Sequence, residues 1–257
     1  MKISIITATY NCISVIGDCI KSVKIQTHQD IEHLIIDGSS SDGTLKLLKK
    51  NENNFSKILS EPDKGIYDAL NKGISLSSGD VIGILHSDDI FADKKVLESV
   101  SKIFHDYPNI DVVIGDAIFF DRTLSNIKKR VIRSSRFRPW MLRFGFMPAH
   151  TATFIRRSAL KRLGQYRDNY ESAGDFEFFI RIFQTHKLQC HNLNKILVFM
   201  RLGGKSTSGM SSYLRTSFEI LSALREHGIY SNVLLIFLRL PIKWLNQWIF
   251  SLLNLIK

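Results

Sequence analysis

The first hundred residues alternate short apolar runs with segments of helical spacing, and this alternation restricts the fold more than any other feature of the chain. The apolar runs expected as β-strands are residues 2–7, 31–37, 57–60 and 80–85. Between the first two, apolar side chains recur every three or four residues from Val15 to Val23, which is typical of an amphipathic helix. Strands separated by helices pair in parallel. We therefore predict an α/β fold with a mostly parallel central sheet flanked by helices.

A polar segment follows each of these strands. The segments are residues 7–11 (TATYN), 37–44 (DGSSSDGT), 61–73 (EPDKGIYDALNKG) and 86–89 (HSDD). Each one alone is typical of an ordinary turn, because small polar residues commonly follow strands. Ligands of parallel α/β sheets, however, bind beyond the carboxyl ends of the strands. The shared position of the four segments predicts one binding site at this edge of the sheet.

Two adjacent carboxylates, Asp88 and Asp89, come directly after the last of these strands. Neighbouring negative charges at the end of a buried strand are unfavourable unless something neutralises them. Oxygen ligands suit Mg²⁺ or Mn²⁺, and such an ion retains coordination positions for phosphate oxygens. The alternative is that both residues are turn or helix-capping carboxylates, which is a common role of Asp.

The rest of the chain continues the α/β pattern less regularly. The further expected elements are helices over 94–107, 158–163 and 176–185 and a strand over 112–114 that continues through 116–121. We assign residues 1–210 to one domain, with a first half of residues 1–115 and a second half of residues 116–210. Residues 211–257 are expected to form a helical C-terminal extension.

The C-terminal tail carries an amphipathic pattern. Its apolar positions are Trp244, Leu245, Trp248, Ile249, Leu252, Leu253 and Ile256. No acidic residue occurs from Ile229 to Lys257. A cationic amphipathic helix with Trp on its apolar face can lie in the interface of an anionic membrane. Packing on the domain, or on the second copy in a homodimer, is the alternative.

The net charge of +11 is unevenly distributed, since residues 122–167 contain thirteen Lys or Arg and no Asp or Glu. Such a stretch attracts anionic partners, of which nucleic acid, an anionic membrane and a pyrophosphate-bearing substrate are the candidates. The three cysteines have no disulfide or zinc-site spacing. No apolar run reaches the roughly 18 residues that span a bilayer, and the N-terminus does not resemble a signal peptide. We therefore expect a cytoplasmic protein.

The four polar segments, in this order and spacing, resemble those of the family 2 glycosyltransferases, which have the GT-A fold. The resemblance extends over residues 1–210 and is densest over residues 1–90. It implies an inverting transfer of a sugar from a nucleotide diphosphate donor, with Mn²⁺ or Mg²⁺ as cofactor. The residues that it places around the nucleotide sugar are Thr7, Thr9, Tyr10, Asn11, Asp37, Ser39, Asp42, Lys64, Asp68, Asn71 and Asp88.

The resemblance also assigns individual roles. Asp37 would hydrogen-bond the uracil or ribose, and Asp42 would support the same loop. Asp88 and Asp89 match the DxD-type metal site, with Asp89 as the more direct ligand. His86 stands where that motif has its first Asp.

A general base is also required, because inversion by direct displacement needs a group that accepts the proton of the acceptor hydroxyl. Asp175, before a Phe-rich helix, matches the family position, with a helix N-cap as the alternative role and Glu177 as a less favoured base. His150 would contact donor phosphate or acceptor. Arg201 and Lys205 would bind phosphate.

The resulting hypothesis is a metal-dependent transfer of a hexose, glucose or galactose favoured, from a UDP-sugar to a sugar on polyprenyl pyrophosphate. GlcNAc-PP-polyprenol is the favoured acceptor, and bacterial surface-polysaccharide assembly, of the O-antigen type, on the inner face of the cytoplasmic membrane is the expected setting. One alternative is a nucleic-acid-binding module built on residues 122–167, but no recognition helix or zinc finger accompanies the charge. Another is a nucleotidyltransferase, although residues 7–11 lack glycine.

Overall fold

The computed structural model describes residues 1–120, 127–202, 209–239 and 241. Its helices are α1 (Ile16–Lys24), α2 (Thr44–Lys50), α3 (Ile66–Leu76), α4 (Val96–Asp106), α5 (Arg157–Leu163), α6 (Gly174–Ile180), α7 (Gly209–Glu226) and α8 (Val233–Phe237). Its strands are β1 (Ile3–Thr9), β2 (Ile31–Asp37), β3 (Lys57–Ser60), β4 (Val81–Ile84), β5 (Ile90–Phe91), β6 (Val112–Phe120), β7 (Ile127–Ile132), β8 (Thr153–Arg156) and β9 (Cys190–Arg201). A π-helical turn, Arg181–Thr185, extends α6.

The described strands form one sheet in the order β3-β2-β1-β4-β8-β6-β9-β5, and β7 pairs with β6. The first four strands along the chain are parallel, as predicted. Their register aligns Thr9 with Asp37 and Asp37 with Ser60, so the carboxyl ends of β1, β2 and β3 lie side by side. The polar segments that follow these strands therefore emerge at a common edge, and the α/β fold class is confirmed.

The second half of the sheet contains strands that the sequence pattern did not reveal. β8 pairs antiparallel with both β4 and β6, and β9 runs parallel to β6. β9 mixes polar and apolar residues over twelve positions, so it lacks the compact apolar run of the earlier strands. At its carboxyl end, β9 also pairs with β5 directly after the Asp88–Asp89 pair. The long strand thus brings Arg201 to the end of β4.

Apolar cores lie on both faces of the sheet, as expected for parallel strands covered by helices. Adjacent residues of β1 illustrate the division, because Ile5 and Ile6 belong to different buried clusters. α1 and α4 contribute to the cluster of Ile5, whereas α3, α5, α6 and α7 contribute to that of Ile6.

The helices α7 and α8 follow the predicted domain boundary at residue 210 and pack on the domain. α7 buries Ile220, Leu221, Ala223 and Leu224 in the same core cluster as Phe176 and Phe179 of α6. α8 adds Ile236 to that cluster. The first part of the helical extension therefore shares the core of residues 1–210, and the boundary itself stays a prediction. The amphipathic tail from Trp244 onward lies outside the described residues.

None of the helices formed by the described residues is both long enough and apolar enough to cross a bilayer.

Substitution of Gly73 by Ala is expected to destabilise the fold by about 1–3 kcal/mol, because overpacking displaces neighbouring atoms. A Cβ at Gly73 would lie 2.4 Å from Ile6 Cγ2 and 3.2 Å from Ile36 Cγ1, where α3 meets the sheet. Gly17→Ala is the matched control, because a Cβ there meets nothing within 4 Å on exposed α1. The control should gain about 0.5–1 kcal/mol from helix propensity. Urea unfolding of both variants measures the difference, and equal stabilities would contradict this packing.

Candidate functional site

Asp37 organises the loop that follows β2. Its carboxylate accepts hydrogen bonds from Thr9 Oγ1 (3.1 Å), Ser40 N (3.0 Å), Ser40 Oγ (2.6 Å) and Ser60 Oγ (2.7 Å). Asp37 itself has no exposed surface. Four protein donors therefore satisfy both carboxylate oxygens and tie the ends of β1, β2 and β3 together. In this structure Asp37 holds the loop, and its contact with uracil or ribose stays a prediction.

Two predicted nucleoside contacts on β1 also point away from the site. Thr7 is fully buried, and its hydroxyl lies 3.1 Å from His33 Nε2. Thr9 is 3% exposed and donates to Asp37. Side chains two apart on a strand share a face, and this face is covered in the structure. The nucleoside contacts of Thr7 and Thr9 stay predictions.

The exposed predicted residues at this edge are Tyr10, Asn11 and Ser39. Asn11 and Ser39 adopt positive φ angles of 46° and 61°, which place them at tight reversals of the chain. Asn11 Oδ1 accepts from Ser41 N at 2.9 Å, so the loops after β1 and β2 are directly joined. Asp42 has the supporting role expected of it, because it accepts from Ile13 N (3.0 Å) and from Thr44 N (2.9 Å). These contacts fix an exposed surface around Tyr10.

The segment after β3 is held by Lys72. Its ammonium lies 2.9 Å from Glu61 Oε1, 2.9 Å from the Pro62 carbonyl oxygen and 3.4 Å from Asp68 Oδ2. Asp68 also accepts from the backbone N of Lys64 at 3.0 Å. Asp68 is therefore engaged in shaping the loop, whereas the Lys64 side chain is exposed and free to meet a ligand at the surface.

Asn71 has a different role from the predicted nucleotide contact. Its Nδ2 donates to the Tyr166 carbonyl oxygen at 2.8 Å, and its Oδ1 accepts from Tyr166 N at 2.8 Å. This paired bond satisfies both groups of the amide and clamps α3 to the chain after α5. Asn71 thus forms a contact between the two halves of the domain, and its nucleotide contact stays a prediction.

Gly38 lies against the side chain of Asp63, a residue to which the sequence analysis assigned no individual role. A Cβ at this buried glycine would lie 2.4 Å from Asp63 Oδ2 and 3.4 Å from Tyr10 Cδ2. The absence of a side chain therefore lets the Asp63 carboxylate and the Tyr10 ring approach the end of β2. Asp63 is itself oriented by Gly65 N, which donates to Oδ1 at 2.9 Å.

The two carboxylates after β4 differ in environment. Asp88 is partly exposed, whereas Asp89 is 3% exposed. Asp89 Oδ1 accepts from Arg201 N at 3.2 Å, and Oδ2 meets no donor in hydrogen-bond geometry among the described residues. Burial and then the negative charge of Asp88 raise the pKa of Asp89 well above its usual range, against the lowering effects of Arg201 and the Thr151 hydroxyl. Of the two carboxylates, Asp88 is the more accessible in this structure, and the prediction that Asp89 is the more direct metal ligand stays untested.

The donor set at this place fits a hard divalent cation that the protein holds with few ligands. Among the described residues, no three His, Cys, Asp or Glu side chains lie together as a closed metal cage. Magnesium-type ions are commonly held by one or two carboxylates together with substrate phosphates and water. Asp88, together with the more deeply buried Asp89, offers one or two carboxylate ligands of this kind. His86 has a buried Nδ1 without a hydrogen-bond partner among the described residues.

Arg201 lies beside the Asp88–Asp89 pair. Its Nη2 lies 2.9 Å from Asp18 Oδ2, and its Nε donates to the Asp88 carbonyl oxygen at 3.4 Å. The guanidinium also covers the Phe120 ring at 4.9 Å from the ring centre. The structure therefore places Arg201 beside the Asp88 backbone, where a phosphate could be reached by exchange of the Asp18 contact. Lys205, the other predicted phosphate partner, lies outside the described residues.

Asp175 lies in the first turn of α6. The N-cap position is Ala173, so Asp175 is not the N-cap residue. Its Oδ1 accepts from Phe176 N at 2.8 Å and lies 3.5 Å from the Tyr67 hydroxyl. Burial is the largest influence and raises the pKa of Asp175 to about 6. A carboxylate with this pKa is ionised at neutral pH, yet it binds a proton more strongly than a solvated Asp does.

Glu177, the less favoured base, is fully buried and engaged. Arg181 Nη2 lies 2.8 Å from Glu177 Oε2, and His227 Nε2 lies 2.9 Å from Glu177 Oε1. Arg167 Nε approaches the same Oε1 at 3.4 Å. These contacts give Glu177 a structural role and leave Asp175 as the accessible carboxylate of α6.

A row of rings connects the Asp88 loop with Asp175. The His86 and His150 ring centres are 5.7 Å apart, and His150 Nε2 lies 2.7 Å from the Tyr166 hydroxyl. Tyr166 stacks on Tyr67 at 5.9 Å, and Tyr67 reaches Asp175. Sequence reasoning did not assign Tyr67 a role, although it lies within the quoted segment 61–73. The row places the two acidic positions on one continuous inner surface.

His150, for which a contact to phosphate or acceptor stays a prediction, is enclosed in this structure. It is 7% exposed, and burial, followed by the charge of His86, lowers its pKa to about 3. The ring is neutral and serves to hold the Tyr166 hydroxyl. A neutral, enclosed imidazole has neither the charge nor the access that a phosphate contact requires.

Several residues of the basic stretch 122–167 form contacts within the fold. Arg156 donates to the carbonyl oxygens of Ile110 (3.0 Å) and Phe104 (3.1 Å). Arg157 donates to Gly79 O at 2.6 Å, and Arg162 pairs with Asp111 at 2.5 Å. These residues join the second half of the domain to the first, and Arg156 and Arg157 keep their positive charge because their partners are uncharged carbonyl oxygens.

Comparison with known proteins agrees with this architecture. A family model described as Glycosyl transferase family 2 matches residues 4–164. A PGL/p-HBAD biosynthesis glycosyltransferase of Mycobacterium bovis is 29% identical over 216 residues, which span 80% of this chain and 79% of the relative.

Solved structures share the fold at low sequence identity. Staphylococcus aureus TarS 1–349 in complex with UDP-GlcNAc has a TM-score of 0.65 at 18% identity and covers 87% of this chain and 66% of its own. The mannosyltransferase PcManGT of Pyrobaculum calidifontis, in complex with GDP-Man and Mn²⁺, has a TM-score of 0.66 at 16% identity and covers 88% of this chain and 64% of its own. This chain thus spans about two thirds of each crystallised chain. The family match over most of the chain and the shared architecture lead to one conclusion: the chain belongs to glycosyl transferase family 2 and is a glycosyltransferase with the GT-A fold.

Proposed function

We propose that this glycosyltransferase moves a hexose, glucose or galactose favoured, from a UDP-sugar to a sugar linked to polyprenyl pyrophosphate, with inversion at the anomeric carbon. The observation that carries the proposal is the row of rings from His86 to Tyr67, which connects Asp88 with Asp175. Asp88 suits the diphosphate side of the reaction, and Asp175 suits the acceptor side.

On the donor side, the exposed surface around Tyr10, Asn11 and Ser39 would receive the nucleoside. Lys64 and Arg201 would approach the diphosphate from two directions. Asp88 would hold Mn²⁺ or Mg²⁺, with Asp89 as an inner support. When bound, the cation neutralises the charge that develops on the departing diphosphate. The complexes of TarS with UDP-GlcNAc and of PcManGT with GDP-Man and Mn²⁺ support a nucleotide-sugar donor and a metal.

On the acceptor side, Asp175 would accept the proton of the acceptor hydroxyl as its oxygen attacks the anomeric carbon. The bond to the diphosphate breaks on the opposite face of the sugar, so the configuration inverts. Tyr67 orients the Asp175 carboxyl by its hydroxyl, and its ring packs over Gly174, where a Cβ would lie 2.8 Å from the ring. No step requires a second nucleophile on the protein.

A donor and acceptor screen tests the proposal. The protein is incubated with UDP-, GDP- and dTDP-sugars, Mn²⁺ and a synthetic GlcNAc-pyrophosphate-lipid, with and without a chelator. We expect product from a UDP-hexose that disappears with chelator. Product from GDP- or dTDP-sugars alone would contradict the UDP assignment, and transfer only to acceptors without a lipid pyrophosphate would contradict the acceptor class.

The pH dependence follows from Asp175. Because a general base must be ionised to accept a proton and the pKa of Asp175 is raised to about 6, kcat/KM should be constant above that pH. Below it, kcat/KM should fall about tenfold per pH unit as the carboxyl becomes protonated. Initial rates between pH 4.5 and 8, with the fold checked by circular dichroism at each pH, measure the profile. A flat profile through pH 5 would contradict an Asp175 base.

A membrane-surface location, with the acceptor lipid, is part of the proposal. Exposed apolar side chains occur on α7, α8 and the turn before Gly145: Trp140, Leu214, Phe218, Val233 and Leu234. The acid-free segment from Ile229 to Lys257 follows these helices. Large apolar side chains beside cationic segments are typical of proteins that bind anionic lipid surfaces.

Removal of residues 242–257 is expected to lower binding to anionic vesicles at least several-fold and to leave the fold intact, because the deletion begins beyond α8. Co-sedimentation with phosphatidylglycerol vesicles, compared with neutral phosphatidylcholine vesicles, measures the change. Equal sedimentation of the shortened and full chains would show that the tail does not bind the membrane.

A further inference from the structure

Glu219 of α7 reaches across to the segment directly in front of Asp175. Its Oε1 accepts a hydrogen bond from Glu171 N at 3.0 Å, and its Oε2 accepts from Ser172 N and Ala173 N, both at 2.8 Å. One carboxylate therefore fixes three consecutive peptide groups. Because α6 begins at the next residue, the position of its first turn depends on this contact.

The carboxylate of Glu219 is itself well anchored. The next residues on α7, Ile220 and Leu221, are buried against α6 in the common core. Arg215, one turn earlier on α7, forms an ion pair with Glu171. Charge-assisted hydrogen bonds of this kind are shorter and stronger than neutral ones. The contact is thus a rigid connection between α7 and the loop 171–173, and it lies in the part of the chain that we had expected to be a separate extension.

We propose that Glu219 is a positioning residue for the transfer reaction, which holds the Asp175 carboxylate in its reacting orientation through the peptide groups of residues 171–173. The inference rests on the proposed role of Asp175 as the base. Glu219 touches neither donor nor acceptor in this role. A displacement of about 1 Å at a reacting group can lower a rate about 100-fold, so the connection has a kinetic consequence.

The charge of Glu219 gives the proposal a second readout. Among the described residues, the titratable side chains that face Asp175 are Tyr67 of α3, Tyr166 after α5 and Glu219 of α7. Burial raises the pKa of Asp175, the Tyr67 hydroxyl lowers it, and the negative charge of Glu219 raises it. Removal of the Glu219 charge and removal of the Tyr67 hydroxyl should therefore move the acid limb of the pH profile in opposite directions.

The experiment compares Glu219→Gln, Tyr67→Phe and a control, Glu226→Gln, by kcat, donor KM and the pH profile of kcat/KM. Glu226 lies on the same helix and binds Arg167 and Tyr170, so its substitution also removes an inter-element contact. For Glu219→Gln we expect kcat about 10- to 100-fold lower, donor KM unchanged and the acid limb at lower pH. The limb should move to higher pH in Tyr67→Phe and remain in place in Glu226→Gln.

An acid limb that stays in place in Glu219→Gln, with a kcat loss no larger than that of Glu226→Gln, would overturn the proposal and leave Glu219 a structural residue. If Glu219→Gln does not fold, Glu219→Asp tests the proposal instead. This variant keeps the negative charge but has a shorter side chain. A lower kcat of Glu219→Asp, with the acid limb of the pH profile in its wild-type place, then supports the positioning role. A wild-type kcat of this variant overturns the proposal. Persistence of the wild-type limb in Asp175→Asn would instead show that the base is assigned wrongly, which separates the two failures.

Discussion

Substitution of Asp175 by Asn is expected to lower the rate of sugar transfer by about 10²- to 10⁴-fold, the usual contribution of a general base. The amide has nearly the same shape and keeps an oxygen that can accept from Phe176 N, as Oδ1 does now at 2.8 Å. It cannot accept the proton of the acceptor hydroxyl. The donor should bind as before, because the nucleotide surface around Tyr10 lies on the other half of the domain. Product formation by mass spectrometry and UDP binding by calorimetry measure the two quantities separately.

Asp168→Asn is the matched control for this substitution. It is the same chemical change on an exposed turn between α5 and α6, and it should leave the rate within about twofold, as expected for a surface substitution. Transfer at the wild-type rate in Asp175→Asn would remove this residue from the mechanism. Equal loss of UDP binding and transfer would place Asp175 in the donor site instead.

Substitution of Asp88 by Asn should abolish metal-dependent UDP binding and lower turnover at least about 100-fold. A metal ion that stabilises the leaving charge contributes several kcal/mol, and about 1.4 kcal/mol corresponds to a factor of ten. The Asp88 side chain is partly exposed at the end of β4, so the isosteric amide should leave the fold unchanged. Calorimetric titration of UDP with and without Mn²⁺ measures the metal-dependent part of the affinity.

Asp30→Asn serves as its control, because Asp30 is exposed at the opposite edge of the sheet, directly before β2. Asp89→Asn provides a second comparison with Asp88→Asn, because Asp89 is buried and accepts a hydrogen bond from Arg201 N. Because burial beside Asp88 disfavours the charged form of Asp89, we expect Asp89→Asn to keep or raise the melting temperature and Asp88→Asn to leave it unchanged. If Asp88→Asn binds UDP with full Mn²⁺ dependence, the metal is held elsewhere and the assignment is wrong.

The first half of the fold was predictable because its strands are short, continuous apolar runs separated by helical spacing. The bounds of β2 and β3 agree with the sequence prediction. β8 and β9 were not predictable in the same way. β8 has four residues, and β9 alternates irregularly and depends on long-range pairing with β6. Such pairing is decided by tertiary packing and leaves little trace in local composition.

The edge of the sheet at which the polar segments gather could be predicted, but the direction of their side chains could not. Polar segments after parallel strands identified the edge of the sheet. Whether a given residue faces the ligand or the core depends on the strand register, in which neighbours point to opposite faces. Thr7, Asp37 and Asn71 belong to the predicted segments, yet each hydrogen-bonds within the protein.

Two residues whose contacts bear on Asp175, Tyr67 and Glu219, could not be identified from the sequence. Tyr67 lies 108 positions away in sequence, and Glu219 lies in the part assigned to the extension. Neither has a local signal that points to Asp175. Their contacts arise from the tertiary packing of α3 and α7 around the start of α6, and only the folded arrangement reveals them.

The most direct test of the account is a crystal structure of the full chain with UDP and Mn²⁺, with the metal located by anomalous scattering. The account predicts one manganese peak within direct bonding distance of a carboxylate oxygen of Asp88, on the side of that residue where the diphosphate would lie. The Asp175 carboxylate should face the open space beyond the diphosphate, where the sugar would lie. A manganese peak remote from β4, or an Asp175 carboxylate that does not border the nucleotide cleft, would contradict it.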